Sequence, residues 1–86
     1  MKGLFEIIGI TDKENNKRLD GRYPLRINRR CKLHIVDSKV TIEYVPRDGE
    51  DYRGILNVSK MQQLEVSDGI YVIKTMNSIY YFKQCD

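Results

Sequence analysis

Five basic side chains and one aromatic ring, Arg22, Tyr23, Arg26, Arg29, Arg30 and Lys32, fall within a short stretch of an 86-residue chain. Guanidinium groups grip phosphate and carboxylate oxygens through paired N–H donors, and a tyrosine ring beside them offers a face for stacking. The wider segment from Asp12 to His34 holds eight Lys or Arg against three acids, +5 locally, so the rest of the chain carries −2 within the net +3. A one-sided cationic surface of this kind suits a phosphate backbone or an acidic protein surface. The competing reading is a solvated strand face whose arginines pair with Asp20, Glu43 or Asp48 and serve solubility.

Chemistry of the bond-making kind has no equivalent constellation. His34 is the single histidine and has no carboxylate or thiol fixed beside it by spacing, so a general base for a nucleophile is missing. Cys31 and Cys85 are too far apart in sequence to form a ligand pair, and no metal site is expected. Asp48, Glu50, Asp51 and Asp68 sit in turn-forming sequence, where acids are the ordinary choice. Asp48-Gly49-Glu50-Asp51 is too short for a calcium loop. Gly21, Gly49, Gly54 and Gly69 make no phosphate-binding pattern ahead of a helix. The expectation is a non-enzyme without cofactor. Tyr44, Tyr71, Tyr80 and Tyr81 fit cross-strand pairing, although adjacent Tyr80 and Tyr81 must face opposite sides of one sheet and one of them is therefore outside or at an edge.

The elements that must position these residues are strands. Gly3 to Thr11 is apolar on both faces and reads as a central strand. Asp12 to Tyr23 is polar, with Asn15-Asn16 and Asp20-Gly21, and forms the longest connection, of a length often associated with mobility or function. From Pro24 onward a strand is expected with Ile27, Cys31, Leu33 and Ile35 on one face and Arg26, Arg30, Lys32 and His34 on the other; Arg29 breaks that pattern and places a bulge or turn near Asn28. Asp37-Ser38 turns the chain into Lys39–Val45, with Val40, Ile42 and Tyr44 inward and Thr41 and Glu43 outward. An acidic loop, Pro46 to Asp51, leads to a strand over 52–58. Ser59-Lys60-Met61 is expected to form a short helical turn capped by Ser59. Leu64–Val66, Ile70–Met76 and Ile79–Phe82 then make a three-stranded meander through Ser67-Asp68-Gly69 and Asn77-Ser78.

No stretch carries a 3.6-residue apolar stripe over three turns. The class is therefore all-β: a small, partly open antiparallel barrel of SH3-like or OB-like kind, with six to seven short strands, at most a short helical turn, and one domain spanning 1–86. A composition of 41% hydrophobic and 31% charged residues fits an ordered globule. The opening residues lack a secretory pattern because Glu6 interrupts the apolar run, and nothing approaches the ~18 apolar residues of a spanning helix. A cytoplasmic protein is expected, with Cys31 buried, Cys85 loose near the chain end, no disulfide and no membrane partner.

Three segments carry a likeness: Arg29-Arg30-Cys31-Lys32-Leu33, then Leu56-Asn57-Val58-Ser59-Lys60-Met61, then Thr75-Met76-Asn77-Ser78-Ile79-Tyr80-Tyr81-Phe82. In this order the chain resembles a group of small β-barrel-like proteins of uncharacterised function carried by phages and conjugative elements of Gram-positive gut bacteria. Here Asn57 and Val58 precede Ser59 where the group usually has Thr-Ser. The resemblance implies a mobile-DNA setting and no catalytic residue. Together with the basic segment it leads to an expected accessory protein that binds nucleic acid or an acidic protein through Arg22, Tyr23, Arg26, Arg29, Arg30 and Lys32. Two alternatives stand beside it: an anti-defence protein that inhibits a host nuclease or sequesters a nucleotide signal, and a structural component of a larger assembly. A homodimer through barrel edges or exposed Tyr80/Tyr81 is compatible with the pattern.

Overall fold

The computed structural model describes residues 3–21, 23–47, 49, 54–58 and 60–85. Arg22, Asp48, Glu50, Asp51 and Ser59, all singled out above, lie outside the described residues, so the expected Ser59 cap and most of the acidic loop do as well. Seven strands form one antiparallel sheet: β1 (Phe5–Thr11), β2 (Arg30–Val36), β3 (Lys39–Tyr44), β4 (Ile55–Asn57), β5 (Met61–Ser67), β6 (Ile70–Thr75) and β7 (Ile79–Gln84), in the spatial order β4-β3-β2-β1-β7-β6-β5. As the two-sided apolarity of Gly3 to Thr11 implies, β1 is the central strand. The expected partly open barrel is a sheet that is not closed: among the described residues no ladder joins β4 to β5, and both remain edges of the sheet.

The sheet hides one face by bending. Phe5, Ile7, Ile10, Cys31, Leu33, Val40, Ile42, Ile73, Tyr80 and Phe82 form one buried cluster, and Leu56 from one edge and Met61 and Leu64 from the other pack against it. The aromatic rings set the centre: Phe5 meets Tyr71 edge-on at 4.9 Å and Phe82 at 6.5 Å, while Tyr80 and Phe82 lie stacked at 6.1 Å. Between the edges, the chain from β4 to β5 bonds back to the β2–β3 hairpin, through the Val58 amide to the Val40 carbonyl and the Met61 amide to the Ser38 carbonyl. Residues 60–61 form no helical turn; Met61 already belongs to β5.

A bulge controls the middle of the sheet. The ladder between β1 and β7 shifts register between Ile7 and Gly9, so Phe5 and Ile7 point inward, Ile8 is thrown to the surface, and Ile10 points inward again. Strict alternation, with Ile8 and Ile10 on one face, therefore fails at this point. On its other side β1 pairs with β2 only at Phe5–Cys31 and Glu6–Arg30. Beyond that pair the Ile7 amide bonds to the Arg29 carbonyl, and the Asn28 amide to the Ile7 carbonyl. Asn28 has φ 66°, which is the local turn that Arg29 requires in the apolar pattern.

The one helical turn among the described residues falls at α1 (Tyr23–Arg26), where alternation from Pro24 implies a strand. Proline at the first turn of a helix costs no hydrogen bond and presets φ. Tyr23 and Ile27, at the two ends of this turn, pack against the core.

Both β2–β3 and β5–β6 close through two-residue turns whose central residues have positive φ, Asp37 and Ser38 at 49° and 65°, Asp68 and Gly69 at 50° and 77°. That conformation matches the twist of a hairpin, and Ser38 occupies it at a steric cost that glycine avoids. Replacing Ser38 by Gly keeps the carbonyl that Met61 uses, and is expected to stabilise the protein by about 0.5–1 kcal/mol, seen as a rise of a few degrees in thermal midpoint.

Cys31 and Cys85 are both free, one buried and one exposed. Cys85 is less loose than its position implies, because its amide donates to the Leu4 carbonyl. Burial, with a smaller contribution from Cys85, pushes the Cys31 thiol up to about 12 from 9.0. Burial likewise raises Tyr44 and Tyr80 above 10.0. Each of these groups holds its proton more tightly folded than unfolded. The stability they confer is therefore complete below about pH 9 and is lost as pH climbs toward 12. Thermal melts are expected to be flat through neutrality and to fall steeply by about pH 11, with a shallower alkaline slope in Cys31→Ala.

Candidate anion-binding site

Where β1 and β2 part, arginines and tyrosines meet at one end of the bent sheet. Tyr23 in α1 has two guanidiniums over its ring, Arg18 at 4.3 Å and Arg26 at 4.7 Å from the centroid. Arg26 also donates from Nη1 to the Tyr80 hydroxyl at 3.0 Å, leaving the phenol proton for another acceptor. Arg29, the residue that breaks the strand pattern, is 9% exposed and lies over the Tyr44 ring at 5.3 Å. Cation–π contact and hydrocarbon packing explain how such residues sit at the rim of an apolar core.

Around them run two adjoining clefts. The larger, about 430 Å³, is lined by Leu25, Arg26, Arg29, Tyr44, Arg47, Gly54, Ile55 and Leu56. The smaller, about 200 Å³, shares Arg26 and Leu56 and continues past Tyr23, Asn57, Thr75, Ser78 and Tyr80. Among the described residues no carboxylate lines either one. Tyr44, one of the lining residues, carries a polar atom at a cost: its hydroxyl is buried and has no hydrogen-bond partner among the described residues. Burial, opposed by the charge of Arg26, raises the Tyr44 phenol; it is therefore protonated at neutral pH and is, among those residues, a donor without an acceptor.

The rest of the basic segment lies elsewhere. Arg30, Lys32 and His34 are exposed on the outer face of β2, where Arg30 stands opposite Glu6 and Lys32 opposite Glu43. His34 does have a carboxylate beside it after all: its Nε2 is 3.0 Å from Glu43 Oε1 across the ladder. This is a mixed-charge strand face, separate from the groove. Of the six residues singled out in the sequence, the structure gathers Tyr23, Arg26 and Arg29, sets Arg30 and Lys32 apart, and leaves Arg22 outside the described residues. Tyr44, Arg47 and Tyr80 line the groove without standing out as site residues in the sequence, while Arg18 lies over the Tyr23 ring. The inward phase of Tyr44 is legible there, but not that Arg29 lies over its ring.

The long connection is built rather than loose. Asp12 accepts the Glu14 amide at 2.8 Å and the Asn16 amide at 3.0 Å. The Asn16 bond above all, despite some desolvation, holds its carboxyl below the usual carboxylate range. Lys17 bridges back to Thr11, and Arg18 Nη1 donates to the Asn77 carbonyl at 2.9 Å. That last bond ties the basic segment to the terminal hairpin. In the hairpin, Thr75 Oγ1 donates to the Ser78 carbonyl at 3.0 Å and accepts the Ser78 amide at 3.2 Å, with both residues buried. The Thr-x-Asn-Ser-x-Tyr segment therefore serves the structure as a locked turn, presenting the Asn77 carbonyl to Arg18 and the Tyr80 hydroxyl to Arg26.

Comparison with known protein families, curated proteins and solved structures finds no match for this chain. Among the described residues, no three His, Cys, Asp or Glu side chains converge as metal ligands, and no helix is long and apolar enough to cross a membrane.

Thr75→Val preserves shape while removing both hydroxyl bonds and leaving the Ser78 amide short of an acceptor. The expected loss is about 1–3 kcal/mol, measured by urea unfolding with an unchanged denaturant slope.

Proposed function

We propose that the protein is a non-enzymatic binding protein that engages a nucleic-acid strand through its phosphate backbone along the Arg26–Arg29–Arg47 groove. The observation that carries this reading is the groove itself. Three guanidiniums line it together with the Tyr44 side chain, and no described lining residue is a carboxylate. Its continuity across two clefts sharing Arg26 favours an extended polyanion. The Tyr23 ring already carries two of the protein's own guanidiniums, so contact with phosphates takes precedence over base stacking and recognition is largely independent of sequence. Arg30 and Lys32 extend the cationic surface only indirectly. In shape the bent sheet is read as a half-open barrel akin to SH3-like and OB-like folds. With the resemblance to proteins of phages and conjugative elements, this makes the chain an accessory of mobile DNA acting in the cytoplasm.

A second reading, capture of a small phosphorylated ligand such as a nucleotide signal, is favoured by one feature. The cleft lined by Arg26, Arg29, Tyr44 and Arg47 has a volume of about 430 Å³, a size that suits a small molecule.

Fluorescence anisotropy with a labelled single-stranded homopolymer decides between these readings. Three phosphate contacts predict a log–log salt slope of about −2, at roughly 0.7 per phosphate on a single strand. Arg26→Ala, checked for folding by circular dichroism, is expected to weaken binding and reduce the slope by about 0.7. Arg30→Ala with Lys32→Ala on the outer face is expected to leave the slope nearly unchanged. A flat salt response removes the strand reading. Saturable binding of a mononucleotide without strand binding establishes the second.

A further inference from the structure

The β5 edge is the longest backbone ladder that the sheet leaves open. Asp68 and Gly69 form a two-residue turn with both φ values positive, so Ser67 and Ile70, which flank it in register, close the hairpin as a hydrogen-bonded pair. Hydrogen-bonded pairs recur at every second residue, which assigns Glu65–Val72 to the same class. The N–H and C=O groups of Leu64 and Val66 then point away from β6, along the edge. Among the described residues no backbone group bonds to them. Val66 is 53% exposed and Leu64 half-buried, so apolar side chains on the concave side accompany the unpaired backbone. Lone edges of this kind are usually blunted by charge, proline or a short span. β5 has seven residues, no proline and one charge, Glu65, with its only irregularity at Met61/Gln63.

We propose that two copies of this chain join edge to edge through β5, antiparallel and centred on Leu64. The stretch Gln63-Leu64-Glu65 is self-complementary about that residue; the ladder is bounded on the N-terminal side, where the Met61 amide already bonds the Ser38 carbonyl, the register shifts between Met61 and Gln63, and Lys13 donates to the Gln62 side chain. Leu64 meets Leu64 as a hydrogen-bonded pair formed by the outward groups just assigned. Gln63 of each copy stands opposite Glu65 of the other, on the convex face. The affinity of the two side-chain types is visible within one chain, where Gln63 Nε2 donates to Glu65 Oε1 at 2.6 Å. Shifting the centre to Glu65 would oppose two carboxylates, and shifting it to Val66 would shorten the ladder and run it into the turn. Pairing makes one continuous sheet of two curved halves. The buried area is small, so the dimer is weak and concentration-dependent.

Sedimentation velocity from the micromolar to the millimolar range tests this. The wild type is expected to shift from monomer to dimer. Val66→Pro removes an N–H that bonds outward, leaves the ladder to β6 intact, and is expected to remain monomeric with an unchanged far-ultraviolet spectrum. Gln63→Glu, an exposed change that keeps the fold should the proline variant lose it, sets carboxylate against carboxylate at two places in the ladder. It is expected to weaken association roughly tenfold, with Gln63→Glu plus Glu65→Gln restoring it. A wild type that stays monomeric at millimolar concentration overturns the proposal. Dimerisation of a folded Val66→Pro protein, or failure of the double change to rescue, overturns it equally.

Discussion

A single sheet with no second layer among the described residues must find cover for one of its faces, and the rest of the described structure follows from that constraint. Small domains usually meet it with a packed helix or a second sheet. Here the only helix among the described residues is a four-residue turn, far too short to cover seven strands. Curvature does the work. Side chains from both edges, Leu56 in β4 and Met61 and Leu64 in β5, reach the cluster built around Phe5 and Phe82. The bulge after Ile7 belongs to the same solution: it increases local twist and allows β1 to stay with β7 while leaving β2 after two residue pairs.

That parting leaves one end of the concave face unsealed, and the chain closes it with amphipathic groups. Aliphatic residues there would have to exclude water at a rim that water reaches. Arginine stems and tyrosine rings present hydrocarbon to the core and polarity to solvent. Hence Arg18 and Arg26 lie over Tyr23, Arg26 holds the Tyr80 hydroxyl, and Arg29 covers Tyr44. A structural role of the basic segment and the anion-binding role proposed for it are thus not rivals. The same guanidiniums complete the core and line the groove, which ties any loss of groove charge to some loss of stability.

The strands were legible because their alternation is clean where one face alone is apolar: Cys31, Leu33, Val40 and Ile42 inside, Arg30, Lys32 and His34 outside. The turns were legible because Asp37-Ser38 and Asp68-Gly69 tolerate positive φ. β1 was different. Its two apolar faces give alternation nothing to choose between, so the phase change at Ile8 was invisible. The helical turn was hidden although Pro24 is a fitting first-turn residue, since four residues carry no periodicity. Barrel closure rests on non-local geometry that strand count does not determine. As for the site, charge density located the segment but not its division. Alternation continued back from Cys31 sets Arg29 inward and Arg30 outward opposite Glu6, and the turn at Asn28 and the helical turn before it then bring Arg26 to the side of Arg29.

Tyr44 shows why this division bears on chemistry. An outward arginine opposite a carboxylate is screened by water and interacts weakly, so Arg30 and Lys32 contribute a diffuse potential at most. A phenol whose hydroxyl is buried with no partner among the described residues is in the opposite condition. Its desolvation is incurred in folding with no compensating hydrogen bond among those residues. Arg26 reinforces the same spot: its charge works against the burial-driven rise of both Tyr44 and Tyr80, which means that its field favours negative charge at those two oxygens. An oxyanion brought into the cleft would occupy the region that field already favours. The proposed anion site would thus owe its arrangement to the requirements of sealing the core.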